Sequence, residues 1–579
     1  MDAPDGTGRN RGCDRVTDTV SRYGEATADL RPNPSVAARS PEKMLVGRVL
    51  VVDDEFANRI YLRKLLTERG CEVMDVGDGE AALALVDKEV PDLALVDVVM
   101  PGETGYDVCR RMKANPLTQD IPVIMVTAQT EIQDVEKGFV VGAFDYIRKP
   151  FNPRELVARV RNALDLKRSN DALRLWKRRM VRELEVAGSL QRKLFATNPL
   201  LDPAVETYMA YQPSLNVGGD VFDALPLPDG GVCVCVGDVA GHGVAPAMVA
   251  SLLKGIIREA AREFVAAGPA AICREIQTRF RSYVQNPELY ATLFLGILSP
   301  EKGCWTCLNC GHPDPFLLDA GGTDISRQLA GRGVLPIGFA FDHGEVYGVD
   351  RQVTAPAAPG SRLMLVTDGL LESRQQQTGE PCGETRLAEI ARRVLHDPFA
   401  IDPAAAVFAA LRAEGFPLSE DDCSVVVVER IDPATVRLEK QIAMDLAAVA
   451  ETAAQVDRIL QADGWPAEAA GAARLALMEH GTNVVRHGRA PAGSTIEFRL
   501  RLTGPVCRMI FRDQGREWSM EERLAAAQAL PMDRENGRGL GIIRAVSQHV
   551  SLFRRDNNNI AFFAVSRQDN HLPLGRSAP

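Results

Sequence analysis

Short runs of consecutive apolar residues, each ending on a group that can handle a phosphate or a cation, constrain this chain more than any other feature. Residues 49–52 are all apolar and lead at once to Asp53 and Asp54. Residues 93–96 lead to Asp97, and residues 123–126 lead to Thr127. A further short strand at 145–148 leads to Lys149 and Pro150. Runs that are apolar at every position are strands buried on both faces, as in a parallel sheet with helices on either side. Amphipathic stretches such as 58–69 supply those helices. In such a sheet, ligands bind beyond the carboxyl ends of the strands, where all five polar residues fall. Three carboxylates there repel one another and call for a hard divalent cation, usually Mg²⁺. The lysine and hydroxyl beside them can hold a phosphoryl group.

The residues Asp53, Asp54, Asp97, Thr127 and Lys149 in this order resemble the receiver domain of two-component response regulators, over about 48–165. The resemblance implies a flavodoxin-like fold with Asp97 as phospho-acceptor and Asp53 and Asp54 on Mg²⁺. It also implies Thr127 and Lys149 at the phosphoryl group and Tyr146 as an aromatic switch. The phosphodonor would be a histidine kinase or histidine phosphotransfer protein. A donor within this chain is disfavoured: the first histidine is His242, and none lies between His396 and His480.

Composition narrows the remaining classes. With 579 residues, 46% hydrophobic and 25% charged, the chain is globular and long enough for three to four domains. Its net charge of -10 argues against coating nucleic acid, which needs a basic excess. No apolar run approaches the roughly 20 residues that cross a bilayer, and residues 1–10 hold no apolar stretch of a secretory signal. A cytoplasmic protein without a nucleic-acid or membrane partner is expected. The 12 cysteines are therefore expected as free thiols. Cys304, Cys307 and Cys310 read as part of a strand, where residues three apart point to opposite faces and cannot converge on a metal.

The pattern divides the chain into a polar disordered tail (1–45), the receiver unit (46–165), a helical linker (166–197), a β-rich unit (198–432), a second α/β unit (434–567) and a loose tail (568–579). Met44 stands directly before the first buried strand, so translation from there is an alternative start. The linker is charged and free of Gly and Pro until Gly188. Leu173, Met180, Leu184, Ala187 and Leu194 recur on it as an imperfect coiled-coil seam, which predicts a homodimer.

The β-rich unit again places acids at strand ends. Asp220 and Asp223 stand in Gly218-Gly219-Asp220-Val221-Phe222-Asp223, Asp238 follows the run 232–236, Asp368 follows the strand at 362–366, and Asp421 and Asp422 precede the run 425–428. Carboxylates without clustered His or Cys point to hard metals. Two such ions can activate a water and clamp a phosphoryl group. With Asn309-Cys310-Gly311-His312-Pro313 and Leu335-Pro336-Ile337-Gly338, the stretch 198–432 resembles the PPM family of metal-dependent Ser/Thr phosphatases, in its sporulation and stress-regulator branch. The resemblance implies an α-β-β-α sandwich holding two Mn²⁺ or Mg²⁺ ions. Asp238 would bridge both ions with the Val239 carbonyl, Asp368 and Asp421 would hold one, and Asp220 would support the other.

In the last unit Glu479, Asn483 and His487 fall on one helix face. Asp513 and Gly515 follow a strand, and Gly537, Gly539 and Gly541 open a helix whose N–H groups can cradle phosphate. Together they resemble the GHKL ATP-binding fold, in its anti-sigma kinase branch. The resemblance implies ATP and Mg²⁺ as cofactors, Glu479 as general base, Asn483 on Mg²⁺, Asp513 and Gly515 at the adenine and the glycines at the phosphates. Glu517 stands where the family often has a second glycine.

The order is receiver, coiled coil, phosphatase and kinase-like ATPase. It implies a response regulator whose output is the phosphorylation state of a STAS anti-anti-sigma protein, with a sigma factor as a further partner. The alternative is a signalling phosphatase for another phosphoprotein, with a non-catalytic docking module at its C-terminus.

Overall fold

The computed structural model describes residues 44–128, 140–195, 198–331, 333–339, 346–397, 399–516, 539–555 and 557–567. The two tails and residues 129–139 and 517–538 lie outside that set. The chain divides into two compact units, Met1–Arg179 and Met180–Pro579.

In the first unit, β1 (Arg48–Val52), β2 (Glu72–Val76), β3 (Leu93–Asp97), β4 (Val123–Thr127) and β5 (Asp145–Arg148) form a parallel sheet in the order β2-β1-β3-β4-β5. The apolar runs are buried on both faces as the sequence requires. Val49, Val51, Leu93, Leu95, Ile124 and Val126 pack toward α1 (Phe56–Thr67). Leu50, Val52, Ala94, Val96, Val123 and Met125 pack toward α2 (Gly79–Val86) and α3 (Gly105–Ala114). Helix α3 opens with a capping box in which Thr104 and Asp107 bond each other's backbone N–H groups. A Cβ at Gly105 would lie 2.1 Å from the Asp97 carbonyl, so only glycine lets α3 start this close to that strand.

Helix α4 (Pro153–Leu194) continues for 42 residues. Leu156, Val157, Val160, Ala163 and Leu164 on its first turns are buried in the receiver core. Further on, the seam residues Leu173, Met180 and Leu194 are exposed, together with Trp176 and Leu190. Leu184 and Ala187 are instead half-buried, because this face of α4 turns Gly188 and Gln191 inward.

In the second unit, β6 (Leu200–Leu201), β7 (Val205–Gln212), β8 (Asp220–Pro226), β9 (Val232–Val239), β10 (Ala291–Ser299), β11 (Cys304–Cys310), β12 (Phe316–Leu318), β13 (Val353–Pro356), β14 (Arg362–Val366) and β15 (Cys423–Arg430) build two antiparallel sheets. Their orders are β13-β11-β10-β9-β8 and β12-β14-β15-β7-β6. Helices α5 (Val244–Phe264) and α6 (Pro269–Tyr283) cover the first sheet. Helices α8 (Gly383–His396) and α9 (Pro403–Ala413) cover the second, and a short α7 (Asp368–Glu372) follows β14. Phe222, Val234 and Phe294 meet Leu363, Leu365 and Val426 in one core between the sheets, giving the α-β-β-α layering. Cys304, Cys307 and Cys310 do lie on one strand, β11.

A third sheet follows, in the order β16 (Val436–Ala443), β17 (Thr495–Thr503), β18 (Val506–Asp513), β20 (Asn558–Ser566) and β19 (His549–Arg555). Its helices are α10 (Leu446–Ala462), α11 (Ala467–His487) and α12 (Gly539–Val546). Strand β18 alternates with period two. Cys507, Met509 and Phe511 face the core beneath the helices, while Val506 and Ile510 join Tyr208, Phe408 and Val427 of the preceding module. Between these two modules Arg501 pairs with Glu206 at 2.6 Å and with Glu429 at 2.8 Å. Arg508 donates to the Tyr208 hydroxyl at 2.8 Å. All five residues are buried.

Among the described residues no helix is long and apolar enough to cross a membrane.

Candidate functional site

In the receiver, β1, β3 and β4 end side by side and deliver their polar residues to one edge. Asp53, Asp54 and Asp97 each offer an oxygen within 4.8 Å of the others. Asp53 and Asp97 are buried, whereas Asp54 is exposed. The Lys149 ammonium bridges them, 2.7 Å from Asp53 Oδ2 and 2.5 Å from Asp97 Oδ2. Burial raises the Asp97 pKa, and the Lys149 hydrogen bond opposes that. Burial also works against the charge on Lys149, but its bonds to Asp53 and Asp97 outweigh it and hold the ammonium above its ordinary pKa. Thr127 is buried at the end of β4. Tyr146 is partly exposed on β5, with the Arg159 guanidinium 5.8 Å from its ring centroid. The acid trio, with a lysine already held between two of its members, fits a hard cation beside a phosphoryl acceptor.

In the two-sheet module the acids arrive from both sheets. Asp220 begins β8 and pairs directly across from Asp238 on β9. Strand β9 runs through Asp238 to Val239, three residues past the apolar run seen in the sequence. Asp368 opens α7, and Asp421 stands exposed just before β15. Burial, then Asp368, Asp421 and Asp422, push the Asp238 pKa up to about 8. Burial and the Asp421 charge also raise Asp368. Thr367 and Ser424 hydroxyls donate to Asp220 Oδ2 at 3.0 and 2.6 Å. The other oxygen, Asp220 Oδ1, is buried without a hydrogen-bond partner. A buried acceptor so orphaned beside mutually repelling carboxylates fits divalent cations.

The structure sorts the remaining acids. Asp422 is buried and spent internally: Ser214 donates its N–H and hydroxyl to Oδ1 at 2.7 and 3.0 Å, and Gly219 donates its N–H to Oδ2 at 2.6 Å. That leaves Asp421 as the acid that can face an ion. Asp223 is turned away from the acid group and pairs with Arg258 and with Lys254 at 3.5 Å. His242 lies on the exposed loop before α5.

Two groups around this centre, Thr292 and Gln191, have no motif of their own, and a third, Asn309 with His312, belongs to the Asn-Cys-Gly-His-Pro stretch. Thr292 lies opposite Asp238 across β10 and β9, and its hydroxyl is 3.0 Å from His312 Nδ1. The Asn309 side chain fixes the His312 backbone, its Oδ1 accepting from the His312 N–H at 2.8 Å and its Nδ2 donating to the His312 carbonyl at 2.9 Å. Gln191, from the last turn of α4, donates to the carbonyls of Gly218 and Ala247 at 2.8 and 3.2 Å and accepts from the Gly218 N–H at 3.0 Å. Its signal in the sequence was a lone polar residue among the seam positions of a helix.

In the last module Glu479 and Asn483 are half-buried one turn apart on α11, and His487 closes that helix. His480 between them is buried, edge-on to Phe511 and Phe563. Asp513 ends β18, and its Oδ1 accepts from the Gly515 N–H at 2.8 Å and from Asn559 Nδ2 at 2.9 Å. Burial raises its pKa. A Cβ at Gly515 would lie 2.6 Å from the Gly488 carbonyl, so the Asp-x-Gly turn sits against the end of α11. Gly539 opens α12 and Gly541 is exposed in its first turn. Gly537 and Glu517 lie outside the described residues. A buried acid at a glycine turn, beside a helix carrying Glu and Asn, fits a purine nucleotide.

Comparison with known proteins matches three separate stretches of the chain. Residues 49–161 match the response regulator receiver domain, 228–431 match stage II sporulation protein E (SpoIIE), and 442–562 match the histidine kinase-like ATPase domain. The chain is thus a receiver protein whose further domains are a SpoIIE-type phosphatase domain and a kinase-like ATPase domain. It is 45% identical over 124 residues to the DNA-binding response regulator MtrA of Mycolicibacterium paratuberculosis, covering 21% of this chain. The chain spans about half the length of that relative, 52%. The RsbU and RsbW domains of Rv1364c from Mycobacterium tuberculosis are 24% identical, over 63% of this chain and 94% of that one, with a TM-score of 0.35. The SiaA-PP2C domain of Pseudomonas aeruginosa is 21% identical, over 44% of this chain and 98% of that one, with a TM-score of 0.36.

Proposed function

We propose that this chain is a two-component response regulator whose output is a metal-dependent protein Ser/Thr phosphatase, switched by phosphorylation of Asp97. Its substrate is a phosphorylated STAS anti-anti-sigma protein, and the C-terminal module acts in opposition as a serine kinase. The observation that carries the reading is the mutual repulsion of Asp238, Asp368 and Asp421, with Asp220 paired across the sheet from Asp238 and keeping one buried oxygen without a hydrogen-bond partner.

Asp238, with the Val239 carbonyl, would bridge two Mn²⁺ or Mg²⁺ ions, Asp368 and Asp421 would hold one of them, and Asp220 would support the other. Such ions supply a nucleophilic water at neutral pH and neutralise charge on the phosphoryl group. The chain's own contribution is placement. Thr367 and Ser424 fix the Asp220 carboxylate, and Asn309, His312 and Thr292 brace the strand that carries Asp238. Gln191 holds the backbone that leads into Asp220.

In the receiver, Lys149 and Thr127 would steady a phosphoryl group on Asp97 beside Mg²⁺ held by Asp53 and Asp54. In the last module Glu479 would act as base toward a protein hydroxyl, Asn483 would hold Mg²⁺ and Asp513 would read the adenine amino group. The test is to incubate the full chain with a phosphoserine STAS protein and Mn²⁺, and separately with the unphosphorylated protein and Mg-ATP. Loss of phosphate in the first reaction and gain in the second support both halves. No change in the first contradicts the phosphatase, and no change in the second contradicts the kinase.

A further inference from the structure

Asp513 does not stand alone. Arg554 on β19 donates through Nη1 to the Gly515 carbonyl and to Asn559 Oδ1, both at 3.1 Å. Arginine only donates. The Asn559 amide must therefore turn its oxygen to Arg554 and its nitrogen to Asp513. That nitrogen has two protons, and both are used: one goes to Asp513 Oδ1 at 2.9 Å and one to the Arg516 carbonyl at 3.0 Å. Oδ1 also accepts the Gly515 N–H. Among the described residues no hydrogen bond reaches Asp513 Oδ2.

We propose that Asn559 and Arg554 are positioning residues that lock Asp513 with one oxygen spent and the other free to accept, so that this module selects a base with an exocyclic amino group over one with a carbonyl there. The inference rests on the nucleotide reading of the module given above. Asn559 has no proton left to donate to the base, and its oxygen is turned to Arg554, so it acts through Asp513. A 6-amino purine donates a proton to Oδ2. A 6-oxo purine sets a carbonyl oxygen against a carboxylate and leaves the buried acid unpaired. A site built to hydrogen-bond one group rejects the analogue lacking it far more strongly than a shape-based pocket does.

The probes are ATP and ITP, which differ at that position of the base, titrated into the full chain with Mg²⁺ and followed by calorimetry. The native protein is expected to favour ATP over ITP by about 100-fold or more. Asn559→Leu is expected to cut that ratio at least about tenfold while ITP affinity stays within about twofold, because the phosphate contacts are untouched. Arg554→Met leaves the Asn559 amide free to turn and is expected to lower the ratio by a smaller factor. It also carries the test should Asn559→Leu fail to fold. A ratio unchanged in both variants overturns the positioning role while leaving nucleotide binding intact. A native chain that binds neither nucleotide overturns the nucleotide reading itself, and this inference with it.

Discussion

Gln191 and Gly218 exchange two hydrogen bonds, side chain to carbonyl at 2.8 Å and N–H to side chain at 3.0 Å. Gln191 lies in the final turn of α4, and Gly218 lies two residues before Asp220. The end of the long helix is thereby tied to the backbone that presents a buried metal-site acid. A Cβ at Gly188, one turn earlier, would lie 2.1 Å from the Asn216 carbonyl, so helix and loop touch without a side chain between them. Gln191→Leu keeps the size but cannot donate or accept. It is expected to lower the phosphatase kcat at least about tenfold, as misplaced catalytic geometry does, while circular dichroism and the receiver's phosphorylation rate hold. Unchanged kcat would show that the clamp does not matter for the site.

The sorting of the two adjacent acids predicts two phenotypes. Asp421→Asn is expected to abolish phosphatase activity and leave the melting temperature nearly unchanged, because Asp421 is exposed. Asp422→Asn is expected to lower stability by about 1–3 kcal/mol, because it disturbs buried N–H and hydroxyl partners. EDTA should abolish activity in the native protein. Activity retained in EDTA would contradict a metal-dependent reaction.

The buried charges between the phosphatase and ATPase modules predict a large cost for removing one partner. Arg501→Met takes the nearest cation from buried Glu206 and Glu429 and is expected to destabilise the second unit by about 3–5 kcal/mol in urea unfolding. Replacing Glu206 and Glu429 with Gln in the same chain should recover part of that loss. If the single change costs less than about 1 kcal/mol, the network is not desolvated as described.

His480 predicts a pH dependence. Burial lowers its pKa from 6.5 to about 3 in the folded chain. The unfolded chain therefore binds the proton first as pH falls below 6.5. Stability is full above that value and drains away as pH drops toward 3. Between pH 7 and pH 5 this residue should cost about 2 kcal/mol. His480→Phe, set among Phe511 and Phe563, should flatten that slope when urea midpoints are compared at the two pH values. An equal slope in native and variant would contradict a neutral buried His480.

The central strands β1, β3 and β4 of the first sheet were legible because burial on both faces leaves runs with no polar interruption, so each run's end marks a site residue; edge strand β2, half-buried and carrying Glu72 and Asp75, leaves no such run. Asp220, Asp238 and Asp368 were legible for a related reason: acids at strand ends stand out against apolar strands. Less legible were groups whose role depends on contacts far along the chain. Gln191 bonds to a residue 27 positions away, and Thr367 to one 147 positions away. Neither carries local periodicity. Asp421 and Asp422 look alike in sequence, and burial alone separates them. The seam on α4 read as one stripe, but Leu184 and Ala187 fall on the face that carries Gln191 inward.

Phosphorylation of Asp97 is proposed to control the carboxylate site in the second unit. The direct measurement compares phosphatase rates of the full native chain on a phosphoserine STAS protein with Mn²⁺, before and after acetyl phosphate and Mg²⁺, against Asp97→Ala treated identically. The rate is expected to change severalfold in the native chain and to stay fixed in Asp97→Ala. Identical rates in all four samples, with phosphorylation of Asp97 verified by mass, would contradict that control.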